Sequence, residues 1–154
     1  MFLYLATSDF YRNLHVAKLG MTEDLYGRRS TYQTSCPPGL APDSHDIDYD
    51  VVWETDASSR DELFDYEDIV HNQFIRWRMM RNKPGDSEWF DFKEHSPLEI
   101  VKEFMKNMAW VKREVPLTEI ASLKRPSRHL RKQHAKNINF IRTRSKRNEA
   151  LDQI

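Results

Sequence analysis

A tyrosine in the first apolar run, Tyr4, a lysine in the second, Lys18, and an arginine ten residues on, Arg28, are side chains able to handle protons and phosphate. Glu67 and His71, one helical turn apart, add a carboxylate and an imidazole. Such types suit hydrolysis at a phosphoryl centre, which needs a deprotonated water, neutralised oxygen charge and a stabilised leaving group. Each also has a plainer use. A strand lysine can snorkel from a sheet edge, a helix arginine can be solvated, and a Glu–His pair at i, i+4 can sit on a helix surface. Lys18 stands out because "HVAKLG" should bury its side chains yet carries a charge in its middle.

The elements that must position these residues read as follows. Residues 2–7, "FLYLAT", and 15–20, "HVAKLG", predict a β-hairpin joined by the polar and aromatic loop "SDFYRNL". "TEDLYGRRSTYQT" offers Thr22 and Asp24 as caps and spaces Leu25, Arg28 and Tyr32 as a short helix, weakened by Gly27 and ended by "SCPPGLAP". "DIDYDVVWETD" predicts a third strand with Tyr49, Val51 and Trp53 on one face. A long helix follows, opened by a Ser59–Glu62 capping box, with Leu63, Tyr66, Val70, Phe74 and Trp77 as its apolar stripe. Glu67 and His71 lie at the edge of that stripe. Ser96, Pro97 and Glu99 open a further helix, and "SEWFDF" predicts a last strand or turn whose Glu88 is either a support or solvated.

Charge divides the chain. The 154 residues have a formal net charge of +0, but residues 1–111 hold 12 Lys+Arg against 20 Asp+Glu, and residues 112–154 hold 12 against 4. A body at −8 and an extension at +8 predict a domain over 1–111 and a basic, partly helical C-terminal extension over 112–154. That distribution is expected where the extension meets phosphate. A single cysteine, Cys36, excludes an internal disulfide, leaves no thiolate pair for structural zinc and reads as structural. The short apolar start "MFLYLATSDF" has no basic n-region, so neither a signal peptide nor a membrane span is expected there. A soluble, intracellular protein is the reading.

The order hairpin, helix, strand, helix, with "FLY" ending in Tyr4, "KLG" ending in Gly20, Arg28 and Glu67, resembles the GIY-YIG nuclease superfamily. "E-x-x-x-H" (Glu67, His71) followed by "EWF" (Glu88 to Phe90) is similar to a phage and large-DNA-virus branch in which lysine replaces the second motif tyrosine. The resemblance covers residues 1–92. The first triplet departs from the family in lacking its glycine and isoleucine. The resemblance implies an α/β (α+β) domain, a small mixed sheet of three or four strands flanked by helices.

It further implies a metal-dependent endonuclease on DNA, using Mg²⁺ or Mn²⁺, with Tyr4, Lys18, Arg28, Glu67 and His71 as catalytic residues and Glu67 as the metal ligand. Tyr4, Lys18, Arg28 and Glu67 should then converge on one cleft. Nucleic-acid contacts are expected from Arg29, Arg76, Arg78 and Arg81 on the body and from Arg128, Arg131, Lys132, Arg142, Arg144, Lys146 and Arg147 on the extension. DNA is the expected partner and RNA the other nucleic acid, with the host cytoplasm or nucleus as the setting for a viral protein. The rival reading is a catalytically inactive GIY-YIG-like module that binds nucleic acid or a protein partner.

Overall fold

The computed structural model describes residues 1–31, 36–40, 47–80 and 87–121, the side chains of 29–31 excepted. Arg81, Arg128, Arg131, Lys132, Arg142, Arg144, Lys146, Arg147 and the Arg29 side chain lie outside the described residues. Met1–Leu123 form one compact unit. The second unit, Lys124–Ile154, falls outside the description.

The unit is an α+β fold around one sheet. Strands β1 (Phe2–Thr7), β2 (Val16–Thr22), β3 (Asp48–Thr55), β4 (Trp89–Asp91) and β5 (Val111–Val115) lie in the order β4-β2-β1-β3-β5. Every pairing is antiparallel, so the sheet is not mixed, and it has five strands where three or four were expected. The additional edge is β5, whose Lys112, Arg113 and Glu114 are exposed and give no alternating apolar signal. Pairing with β3, and the bond of Arg113 Nε–H to Glu54 at 2.7 Å, hold it there. The charge break at Lys112 therefore does not end the fold.

The "SDFYRNL" connection is not a loop but a one-turn helix, α1 (Asp9–Asn13). Ser8 Oγ accepts the Tyr11 N–H at 3.2 Å, Asp9 sits in the first turn and Arg12 in the last, and Tyr11 is fully buried. That cap signal was present in the sequence and short enough to be missed. Helices α2 (Leu25–Thr31), α3 (Arg60–Gln73), α4 (Pro97–Met105) and α5 (Leu117–Ala121) complete the unit. Ser59 Oγ accepts from Glu62 N–H at 3.1 Å and Ser96 Oγ from Glu99 N–H at 3.4 Å, as the capping signals predicted.

The two sheet faces carry different cores. Leu3, Leu5, Ala17, Leu19, Val51, Trp53 and Phe90 pack under Leu63, Val70 and Phe74 of α3 and Val101 and Met105 of α4. Tyr4, Ala6, Val16, Tyr49, Val52 and Trp89 form the other face, covered by Tyr11, Leu25 and Ile120. Tyr49 thus does not share a face with Val51 and Trp53. A β-bulge shifts the register so that Leu5 pairs with Val51 but Ala6 with Tyr49, and one extra residue moves the ring across the sheet.

Candidate active site

Antiparallel register sets the first two residues. Tyr4 pairs with Gly20 and Ala6 with Lys18, so Tyr4 and Lys18 share a face. The Tyr4 ring lies over Gly20, where an added Cβ would stand 2.4 Å from its hydroxyl oxygen and 2.5 Å from Cζ. The glycine of "KLG" is thereby explained: no side chain fits beneath that ring.

Arg28 reaches the pair through α2. The Asp24 carboxylate caps this helix by accepting the Gly27 N–H at 3.0 Å, and a Cβ on Gly27 would meet that carboxylate at 2.4 Å. Gly27 thus leaves open the space in which the Asp24 carboxylate sits. Tyr49, brought to this face by the bulge, donates its hydroxyl to the Leu25 carbonyl at 2.8 Å and meets the Tyr4 ring edge-on at 5.2 Å. One turn later the Arg28 Nε–H donates to the Tyr4 hydroxyl oxygen at 3.1 Å.

Glu88 joins the group from the start of β4. One of its oxygens, Oε2, stands 3.6 Å from both Lys18 Nζ and Arg28 Nη2. The sequence alone does not separate a supporting role for Glu88 from a solvated one. Its signal was adjacency to "WF", a strand that pairs Trp89 with Lys18, but only the pairing reveals it. Burial, with Lys18 only 7% exposed, pulls the amine down from its usual value; Glu88 opposes that and Arg28 adds to it. The lysine does not snorkel. Burial likewise pushes the Tyr4 phenol up against the opposing pull of Arg28, so the phenol is neutral.

Glu67 and His71 come from α3, whose apolar stripe covers the opposite sheet face. They sit where β4 stops short: β4 pairs with Val16, Ala17 and Lys18, and the Leu19 carbonyl instead takes the His71 Nε2–H at 2.9 Å. His71 is buried, its ring tilted on Phe90 at 5.1 Å, and burial lowers its pKa. One turn earlier Glu67 is 7% exposed, and its Oε2 is buried with no hydrogen-bond partner among the described residues. Burial, then the charges of Glu88 and Asp68, push its carboxyl up to about 8. A small cavity is lined by Tyr4, Gly20, Glu67 and His71 with apolar neighbours. The four expected residues therefore converge in steps: Glu67 shares this cavity with Tyr4, Tyr4 bonds Arg28, and Arg28 meets Lys18 at Glu88.

A family model, the T5orf172 domain, matches residues 1–109, from β1 to the residues just before β5. The chain belongs to the T5orf172 domain family. No curated protein and no solved structure matches it. The T5orf172 domain is GIY-YIG-related, and nucleases of that kind generally use a divalent metal. Among the described residues of this T5orf172 domain no three His, Cys, Asp or Glu side chains cluster as a protein-only metal cage. One carboxylate is enough for a hard cation that keeps most of its water, and Glu67 is the acidic side chain among the residues that line this cavity.

Arg76 and Arg78, expected on nucleic acid, lie on the segment after α3, and the Arg78 charge is near enough to Glu67 to oppose the rise of its carboxyl. Arg76 is exposed and stacks over Trp77 at 4.2 Å, whereas Arg78 is half-buried and donates Nε–H to the Ser87 carbonyl at 2.7 Å. Arg78 thus braces the approach to Glu88. No helix among the described residues of the T5orf172 domain is long and apolar enough to cross a membrane.

Proposed function

We propose that the domain is a metal-dependent endonuclease that hydrolyses phosphodiester bonds in DNA. The observation that carries this reading is the buried, unpartnered Glu67 oxygen beside the Tyr4–Arg28–Glu88–Lys18 series. A buried carboxylate without a partner is costly, and a cation removes the cost.

Glu67 would hold Mg²⁺ or Mn²⁺, which would supply positive charge at the phosphoryl oxygens and leaving group. Lys18 stands in the place of the second motif tyrosine. Its amine, lowered by burial, takes the proton of the attacking water, while neutral Tyr4 orients that water through its hydroxyl. Arg28 presents its guanidinium fork to the phosphate, its plane fixed by the bond to Tyr4. His71 holds α3 against β2 through the Leu19 carbonyl, which keeps Glu67 at the cavity it lines with Gly20. The basic extension, with Arg76 and Arg29, supplies backbone affinity that the acidic body lacks.

The test is nicking of supercoiled plasmid with Mg²⁺ or Mn²⁺, wild type against Glu67→Gln. The variant keeps shape and burial but loses the metal oxygen, so cleavage should fall by at least about a hundredfold while DNA retention stays. Binding without cleavage in the wild type would favour the inactive module, and cleavage undiminished in Glu67→Gln would move the metal elsewhere.

A further inference from the structure

Arg28 and Arg78 are held in the same way. The Arg28 Nε–H donates to the Tyr4 hydroxyl oxygen at 3.1 Å and the Arg78 Nε–H to the Ser87 carbonyl at 2.7 Å. A guanidinium fixed at Nε has its plane set and keeps its two terminal nitrogens as a fork for phosphate oxygens. Those of Arg78 make no hydrogen bond or ion pair among the described residues. Its guanidinium lies over the Phe90 ring at 6.0 Å, and the His71 ring, which lines the cavity with Glu67, meets that same ring at 5.1 Å. Glu67 feels the charges of both arginines. Resting on the nuclease reading for the ligand's identity, we propose that Arg78 binds the phosphate next to the scissile one, so that the strand runs from Arg28 past Glu67 to Arg78.

The sheet sets the two forks apart. Tyr4, which holds Arg28, is on β1, whereas Arg78 forms an isolated antiparallel bridge with Phe90 on the outer edge of β4. β2 and β4 lie between them, at about 4.8 Å per strand step, a separation that suits two phosphates of one strand better than one. The Arg78 main chain is fixed as well: its N–H donates to the Ile75 carbonyl at 3.1 Å, and the Met79 N–H to the Trp89 carbonyl at 2.9 Å. Little ordering is left for the ligand to impose, which favours binding. Arg76, exposed and stacked over Trp77, adds charge without such a fixed fork.

The experiment uses the full chain in EDTA with dTpT, which has one phosphodiester, and dTpTpT, which has two. Wild type should bind dTpTpT roughly three- to tenfold tighter, beyond the statistical gain from a second phosphate. In Arg78→Gln only the statistical gain should remain, with dTpT affinity as in wild type. Replacing either linkage of dTpTpT by an uncharged methylphosphonate should return wild type to its dTpT affinity. A purely structural Arg78 would lose affinity for both ligands together, and capture by the basic extension would leave the full gain in Arg78→Gln; either result overturns the proposal. Should the variant not fold, the wild-type Arg78 Nε–H resonance decides: a shift with dTpTpT and none with dTpT supports the proposal, and any other pattern overturns it. Because no metal is present, the gain can be measured in a protein that cuts no plasmid, an outcome that would sink the nuclease reading alone. Cleavage by wild type with the gain unaltered in Arg78→Gln would sink this one alone.

Discussion

Leu5 and Tyr4 are neighbours in β1 and serve opposite faces of one sheet. On the Leu5 face, aliphatic and aromatic side chains meet α3 and α4 and little else. On the Tyr4 face the same strands place the Tyr4 hydroxyl, the Lys18 amine and Tyr49 among apolar rings, with Arg28 and Glu88 beside them. The first face is interchangeable chemistry at fixed volume. The second is specific atoms at specific distances, and Glu67 reaches its rim because β4 ends early and Gly20 has no side chain.

The largest expected effect separates the faces by stability. Leu5 is fully buried, so Leu5→Ala should cost about 2–5 kcal/mol in chemical denaturation. Cleavage per folded molecule should stay within a few-fold of wild type. A larger loss of turnover would mean that the faces are mechanically coupled and the contrast is false.

A second effect concerns pH. With the Glu67 carboxyl at about 8 in the folded chain and 4.5 as its ordinary value, the folded state holds a proton that the unfolded state has released. This contribution is full below about 4.5 and is lost as pH rises through about 8, a few kcal/mol at about 1.4 per unit. Denaturation in EDTA at pH 5 and pH 9 should show wild type losing more stability than Glu67→Gln. Equal losses would place Glu67 in water and remove it from the site.

The smallest effect is Gly20→Ala. The methyl would collide with the Tyr4 hydroxyl, so the ring must move, at about 1–3 kcal/mol of overpacking. Here activity should suffer more than stability, with the Arg28 Nε–H resonance displaced as its acceptor shifts. An unmoved resonance would show that the ring has room and that Gly20 serves another purpose.

The sequence by itself determined the local elements. Ser59, Ser96 and Asp24 marked helix starts by hydrogen bonds that span three residues, and the apolar stripe of α3 followed from its period. Tyr4, Lys18, Arg28 and Glu67 were legible as candidates because their order matched a family pattern whose T5orf172 member covers residues 1–109. Only the tertiary structure decided how they meet. The bulge that sends Tyr49 to the Tyr4 face, the pairing that makes charged β5 an edge strand, and the β4 register that sets Glu88 between Lys18 and Arg28 join residues tens of positions apart. A hydrogen bond within a turn is written in its neighbours, whereas strand register is settled by packing on both faces at once.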